Sequence, residues 1–116
     1  MRTKVILSLV APDDKVEEIC KRVHIPVRER ERIESYHNKV IKGEKATIMT
    51  FPSQKDSFIE QLNDVLDAGQ ELSGIPCDAH IGCYFNSKDH WVFSPEIFEK
   101  MAKTGIEINI ISTDLF

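Results

Sequence analysis

Long apolar runs are missing from this chain. The longest, Val5 to Ala11, is interrupted by Ser8 and falls far below the roughly 20 residues that a membrane-spanning helix requires. It alternates like a strand and leads into acidic residues instead of a cleavage site, so no anchor or secretory leader is expected, and the cytoplasm is the expected compartment. Cysteine is scarce as well. Cys20, Cys77 and Cys83 form no Cys-x-x-Cys pair, the spacing on which many structural zinc sites are built. Cys77 and Cys83 share one strand but lie about 20 Å apart, beyond disulfide reach, so free thiols in a reducing compartment are expected. Basic residues are not in excess. A net charge of -4 gives phosphates no basic face, so no nucleic-acid partner is expected, while a basic protein partner suits it. A glycine-rich phosphate loop and a dinucleotide fingerprint are both lacking, and no cofactor is expected.

What is present has the composition of a folded domain. Hydrophobic residues are 41% and charged residues 29% of 116 positions, which is enough apolar material for one core in a chain too short for two. A single domain over 1–116 follows. Its clearest element is the strand Cys77 to Phe85, with Cys77, Ala79, Ile81, Cys83 and Phe85 on one face and Asp78, His80, Gly82 and Tyr84 on the other, the period of a half-buried strand.

The rest is read around that strand. Lys4 to Val10 alternates in the same way, and Pro12-Asp13 then opens a helix with Asp13 or Asp14 as its cap and Val16, Ile19, Cys20 and Val23 as its apolar stripe, ended by Pro26. From Val27 to Lys45 the pattern fails. Arg28-Glu29-Arg30-Glu31-Arg32 alternates charge without an apolar face, and an exposed hairpin or a long loop with a turn at Gly43 both fit, as solvated connector or docking loop. Lys45 to Phe51 is a β-branched strand, and Ser53 caps the main helix with Asp56 three residues on. Asn86 to Asp89 turns the chain out of the central strand, and His90 to Phe93 is a short strand or an extended lead-in. Ser94-Pro95-Glu96 begins a capped helix that Gly105 ends, and Ile106, Ile108 and Ile110 alternate along a last strand. One-sided helices and alternating strands predict an α+β fold, a single small sheet with helices packed on one face. The other face is expected to be open, projecting Lys4, Ile6, Ser8, Asp78, His80, Tyr84, Glu107, Asn109 and Ile111.

Chemistry is hard to build from these residues. A metal site of His80, Cys83, Asp89 and His90 fails on parity, because His80 and Cys83 point to opposite faces of their strand. The same parity separates a Cys83 nucleophile from a His80 base, and an Asp78–His80 dyad lacks a nucleophile, so no enzyme is expected. Recognition surfaces are better marked. The main helix carries Asp56, Glu60, Asp64, Asp67 and Glu71 along one side with only Lys55 nearby. At helical spacing such acids repel one another, and two readings fit them, a solvated face and an acidic docking face for a cationic partner. His80, Tyr84 and Trp91, the one tryptophan, are candidate contacts beside it.

In its C-terminal half the sequence resembles an uncharacterised bacterial family, a domain of unknown function. The resemblance is carried by Ala79-His80-Ile81-Gly82-Cys83-Tyr84-Phe85, by Ser94-Pro95-Glu96-Ile97-Phe98-Glu99-Lys100-Met101-Ala102, and by Gly105 with the strand Ile106 to Ile110. It extends more faintly to the first strand and helix. A Lys-Gly pair of the kind the family carries stands at Lys42-Gly43, without the family's neighbouring tryptophan. The resemblance supplies no catalytic residues. It implies kinship with small proteins encoded beside bacterial toxins, where they serve as immunity proteins. The expected function is therefore an immunity protein that neutralises a basic protein toxin, such as a nuclease, by occluding its active surface. The alternative is a regulatory module that binds a small ligand or another protein on the open face.

Overall fold

Strict alternation in the apolar strands makes a sheet with one greasy face, and that face collects the helices. The computed structural model describes residues 3–37, 42–86, 88 and 90–113. Along the chain lie β1 (Lys4–Pro12), α1 (Val16–Arg22), β2 (Glu29–His37), β3 (Lys42–Pro52), α2 (Phe58–Gln70), β4 (Asp78–Asn86), α3 (Pro95–Thr104) and β5 (Glu107–Thr113). The strands form one sheet in the order β2-β3-β1-β4-β5. β1 runs antiparallel to β3 and β4, β3 antiparallel to β2, and β5 parallel to β4. The elements from β1 to β4 thus follow the split βαβ plan of a ferredoxin-like plait. α3 is the crossover that a parallel fifth strand requires.

The odd positions of β1 (Val5, Leu7, Leu9 and Ala11) are buried, together with Met49 and Phe51 of β3 and Ile81 and Cys83 of β4. Val16 and Ile19 from α1 and Phe58, Leu62, Val65 and Leu66 from α2 close over them in the same core cluster. The fold is α+β, with helices packed on the sheet, as the alternation predicts.

Several local expectations need correction. The first helix begins later than expected: Asp13–Lys15 forms a 3-10 turn and α1 starts at Val16 without a side-chain cap. The Asp13 carboxylate is engaged elsewhere, accepting from Thr47 Oγ1 at 2.9 Å and pairing with Arg32 Nε at 2.8 Å. Of the two readings of the charged stretch the hairpin holds and the long loop does not: it forms strand β2, antiparallel to β3. Its Arg30 and Arg32 face the helix side, because they pair in register with Met49 and Thr47, and Arg30 reaches Glu17 at 3.3 Å. Gly43 lies within β3 and marks no turn; Val40, Ile41 and Asp89 lie outside the described residues. His90–Phe93 is an extended lead-in and not a strand. At α3 the expected signals are in place: Ser94 Oγ accepts from the Ile97 amide, Pro95 opens the helix, and Gly105 ends it at φ 63°, a left-handed conformation that costs glycine little.

The main helix is capped by Ser57 and not by Ser53. Ser57 Oγ accepts the Glu60 amide at 3.2 Å and donates to Glu60 Oε1 at 2.8 Å, a side-chain cap one turn later than expected. The shift follows from Phe58. With its first-turn position fully buried, Phe58 meets Trp91, Phe85 and Phe93 at ring-centroid distances of 5.0, 5.9 and 6.1 Å, and the helix begins where that aromatic cluster fixes it.

Candidate functional site

The acidic side of α2 is largely compensated, from elsewhere in the fold. Glu60 accepts from the Ser57 hydroxyl at 2.8 Å. Asp67 accepts from Lys100 Nζ of α3 at 3.0 Å, and the same ammonium bonds Asn63 Oδ1 at 3.0 Å. Asp64, whose side chain is only 10% exposed, bonds His24 Nε2 through Oδ1 at 2.6 Å and accepts from Ser53 Oγ through Oδ2 at 2.8 Å. Glu71 pairs with His24 Nδ1, and Arg22 Nη1 donates to the Ser73 carbonyl at 2.8 Å just beyond. Asp56 is exposed ahead of the helix. The expectation that only Lys55 stands near these acids is therefore corrected: His24 and Lys100 meet three of them.

Sequence spacing does not mark His24 or Arg22 as a partner of the α2 region, because the groups they bond lie 40 to 51 residues away. The only local signal was a histidine placed between a short helix and the Ile25-Pro26 breaker. The arrangement of Ser53, Asp64 and His24 does not make a catalytic triad. Both imidazole nitrogens are held by carboxylates, and the serine hydroxyl donates to Asp64 instead of the imidazole, so no base faces the nucleophile. Burial lowers the His24 pKa, but hydrogen bonds to Asp64 and Glu71 and their charges outweigh it and hold the group above its usual 6.5. The imidazolium thus acts as a clamp between the α1–β2 connection and α2.

The open face of the sheet is built by register. The even positions of β1 fall opposite even positions of β3 and β4, giving transverse rows that cross the sheet. One row reads Glu29, Thr50, Ser8, His80 and Glu107; the next reads Glu31, Ile48, Val10 and Asp78. On the other side of the first row, Ile6 stands beside Gly82 and Asn109, and Lys4 beside Tyr84 and Ile111. Ile6, Val10, Ile33 and Ile48 are half-buried, while Glu29, Glu31, His80 and Glu107 are exposed. Tyr84 lies over Gly82: a Cβ at position 82 would fall 2.8 Å from Tyr84 Cε2. An aromatic ring laid across a strand glycine shields backbone that glycine leaves bare. The result is an aliphatic strip with acids at both lateral margins of the sheet.

The remaining candidates separate. His80 projects from the open face while Cys83 is buried in the core, its thiol pushed up to about 12 by burial and so poorly suited to nucleophilic work. Among the described residues no three His, Cys, Asp or Glu side chains converge to hold a metal ion. Trp91 is half-buried on Phe58, away from the open face, and its indole Nε1 is buried without a hydrogen-bond partner among the described residues. Three pockets have volumes of about 550, 310 and 450 Å³. The first lies where α2 and α3 end, lined in part by Cys77, Asp78, Lys103 and Thr104. The second adjoins His24 and Asp64, and the third adjoins Asp13, Glu17 and Arg32. His80 and Tyr84 line none of the three.

Fold and site together define an α+β plait with a fifth strand parallel to β4 and an acid-margined sheet face that no described helix covers. Comparison with models of known families, with curated proteins and with solved structures gives no match. No helix among the described residues is long and apolar enough to cross a membrane.

Proposed function

We propose that this protein is a non-catalytic binding module that takes a basic protein partner on the open face of its sheet, and that the partner is a bacterial toxin which it neutralises by occlusion. The observation that carries this reading is the juxtaposition on that face of half-buried aliphatic side chains with Glu29, Glu31, Asp78 and Glu107, against Lys4 as the one lysine of the same rows. Apolar centres with charged margins are how protein interfaces combine holding with steering. The resemblance to immunity proteins supports the choice of partner, and the free thiols of Cys20, Cys77 and Cys83 agree with residence in a reducing cytoplasm. The open face replaces α2 as the leading surface because it joins half-buried aliphatic side chains to its acids, of which Glu29 is itself paired with Arg28 at 3.6 Å. A regulatory module that holds a small ligand over His80 and Tyr84 is the second reading; the three pockets are lined by other residues.

The test is co-expression with the toxin encoded beside its gene. The wild-type chain is expected to restore growth and form a stable complex. The triple reversal Glu29→Lys, Glu31→Lys and Glu107→Lys is expected to weaken that complex about tenfold or more at low salt and much less at high salt. Complex formation that is indifferent to the triple reversal would remove the open face from the interface. The absence of any such toxin would remove the immunity reading itself.

A further inference from the structure

The two edges of the sheet are built differently, and one of them is prepared for pairing. β2, at one edge, presents Glu29, Arg30, Glu31, Arg32 and Glu34, and its register with β3 shifts twice, between Ile33 and Tyr36 and again between Tyr36 and His37. Charges and irregularities of this kind are the usual means by which an edge is kept from adding a further strand. β5, at the other edge, has neither. Its register with β4 runs unbroken from Glu107 to Thr113, and Glu107 is its one charged residue. It exposes aliphatic side chains on both faces, with Ile110 47% and Ile111 40% accessible. On its outer side no described strand pairs with it.

We infer that β5 pairs antiparallel with β5 of a second copy of this chain, joining two sheets into one of ten strands. The strand's own sequence selects the second copy as the occupant. Two copies of one strand can pair antiparallel only about a two-fold axis perpendicular to the sheet, and such an axis keeps helix faces on one side and open faces on the other. The register that uses the whole strand is centred on Ile110. It sets Ile110 against Ile110, Asn109 against Ile111, Ile108 against Ser112 and Glu107 against Thr113. No like charges are opposed, and the two Ile110 side chains cover one another on the helix side. Directly opposed residues have Cβ atoms about 4.5–5.5 Å apart, so the isoleucines that are half-exposed in one copy come into contact in two. The interface is isologous, as a two-fold demands, and the two open faces become one continuous surface.

Light scattering and sedimentation over a wide range of concentration provide the test. The wild-type chain is expected to show twice its 13.3 kDa at high concentration and to dissociate on dilution. Ile110→Lys places two ammonium groups against each other at the two-fold and is expected to give a monomer with an unchanged circular dichroism spectrum, since the position is already half exposed. Should that variant misfold, Ile110→Cys in a Cys20→Ser/Cys77→Ser/Cys83→Ala background, which also removes the thiol beside position 110 in register, serves instead, and mild oxidation is expected to link it into a dimer while Glu107→Cys in the same background stays unlinked. A wild-type chain that stays monomeric at every concentration overturns the inference. That result would also be obtained if the edge is reserved for an extended segment of a different protein. A dimer that survives Ile110→Lys, or that links equally well through position 107, overturns the β5 register.

Discussion

His24 is where a single side chain ties together parts of the chain that are distant in sequence. The imidazole stands between Asp64 and Glu71, and both carboxylates need it charged: a neutral ring has one N–H and can donate to only one of them. Because its folded pKa lies above the usual 6.5, its stabilising contribution is complete below about pH 6.5 and is lost as the pH rises through the folded value. His24→Ala is expected to cost about 1–2 kcal/mol at about pH 6, by the loss of charged hydrogen bonds, and clearly less at about pH 9. Urea unfolding of both proteins at the two pH values checks this, and an equal difference at both would show that the clamp does not depend on the charge. Gly82 is the second telling residue. Gly82→Ala is expected to push the Tyr84 ring off the strand while changing the unfolding midpoint little, because the ring's outer atoms can move toward solvent. Tyrosine fluorescence and partner affinity are the measurements, and an unaltered affinity would exclude Tyr84 from the contact surface.

At the scale of elements, sequence and structure agree where a signal is local and part where it is not. Ser94, Pro95 and Gly105 bracket α3 by backbone chemistry that acts within a few residues, and the helix occupies that frame. For α2 the expected cap was Ser53, and the actual one is Ser57, four residues further on. The choice fell to Phe58, whose burial against Phe85, Trp91 and Phe93 depends on segments more than 25 positions further along the chain. Phe58→Ala is expected to destabilise the fold by about 3–5 kcal/mol, measured by thermal or urea unfolding; a loss below about 1 kcal/mol would mean that the aromatic cluster does not anchor the helix. The acids of α2 were misjudged for a related reason. Spacing along one helix exposes repulsion between neighbours at i and i+4, but Lys100 and His24 arrive from other elements, and nothing in their own surroundings marks them as partners. For β2 the hairpin was one of two readings, and the sequence could not choose between it and a loop. The outer position of β2 in the sheet lets Arg30 and Arg32 stand where an inner strand would need apolar side chains.

For the whole molecule, alternation announced a sheet with one covered face, yet strand order could not be read from it. Alternation fixes which side of a strand is apolar but says nothing about which strand lies beside it. The composition of the open face follows from register. Glu29 and Glu107 come from opposite edges of the sheet, and only the order β2-β3-β1-β4-β5 puts them at the two ends of one row, with Ser8 and His80 between. The candidate site was therefore legible only in part: its β1, β4 and β5 members were expected on that face, and its β2 and β3 members were not.

The central place of β1 has a consequence for how this chain comes into being. β1 leaves the ribosome before the two strands that must fill its edges, β3 on one side and β4 on the other, with Lys4 finally paired to Tyr84. Contacts that distant along the chain form slowly, because a long loop must close before they return any stabilisation. During synthesis, a chain that has emerged as far as Pro52 can align β1, β2 and β3, while the apolar central strand still has one bare edge. That interval, between the arrival of β3 and the arrival of β4, is when this protein is most exposed to aggregation and most dependent on chaperones.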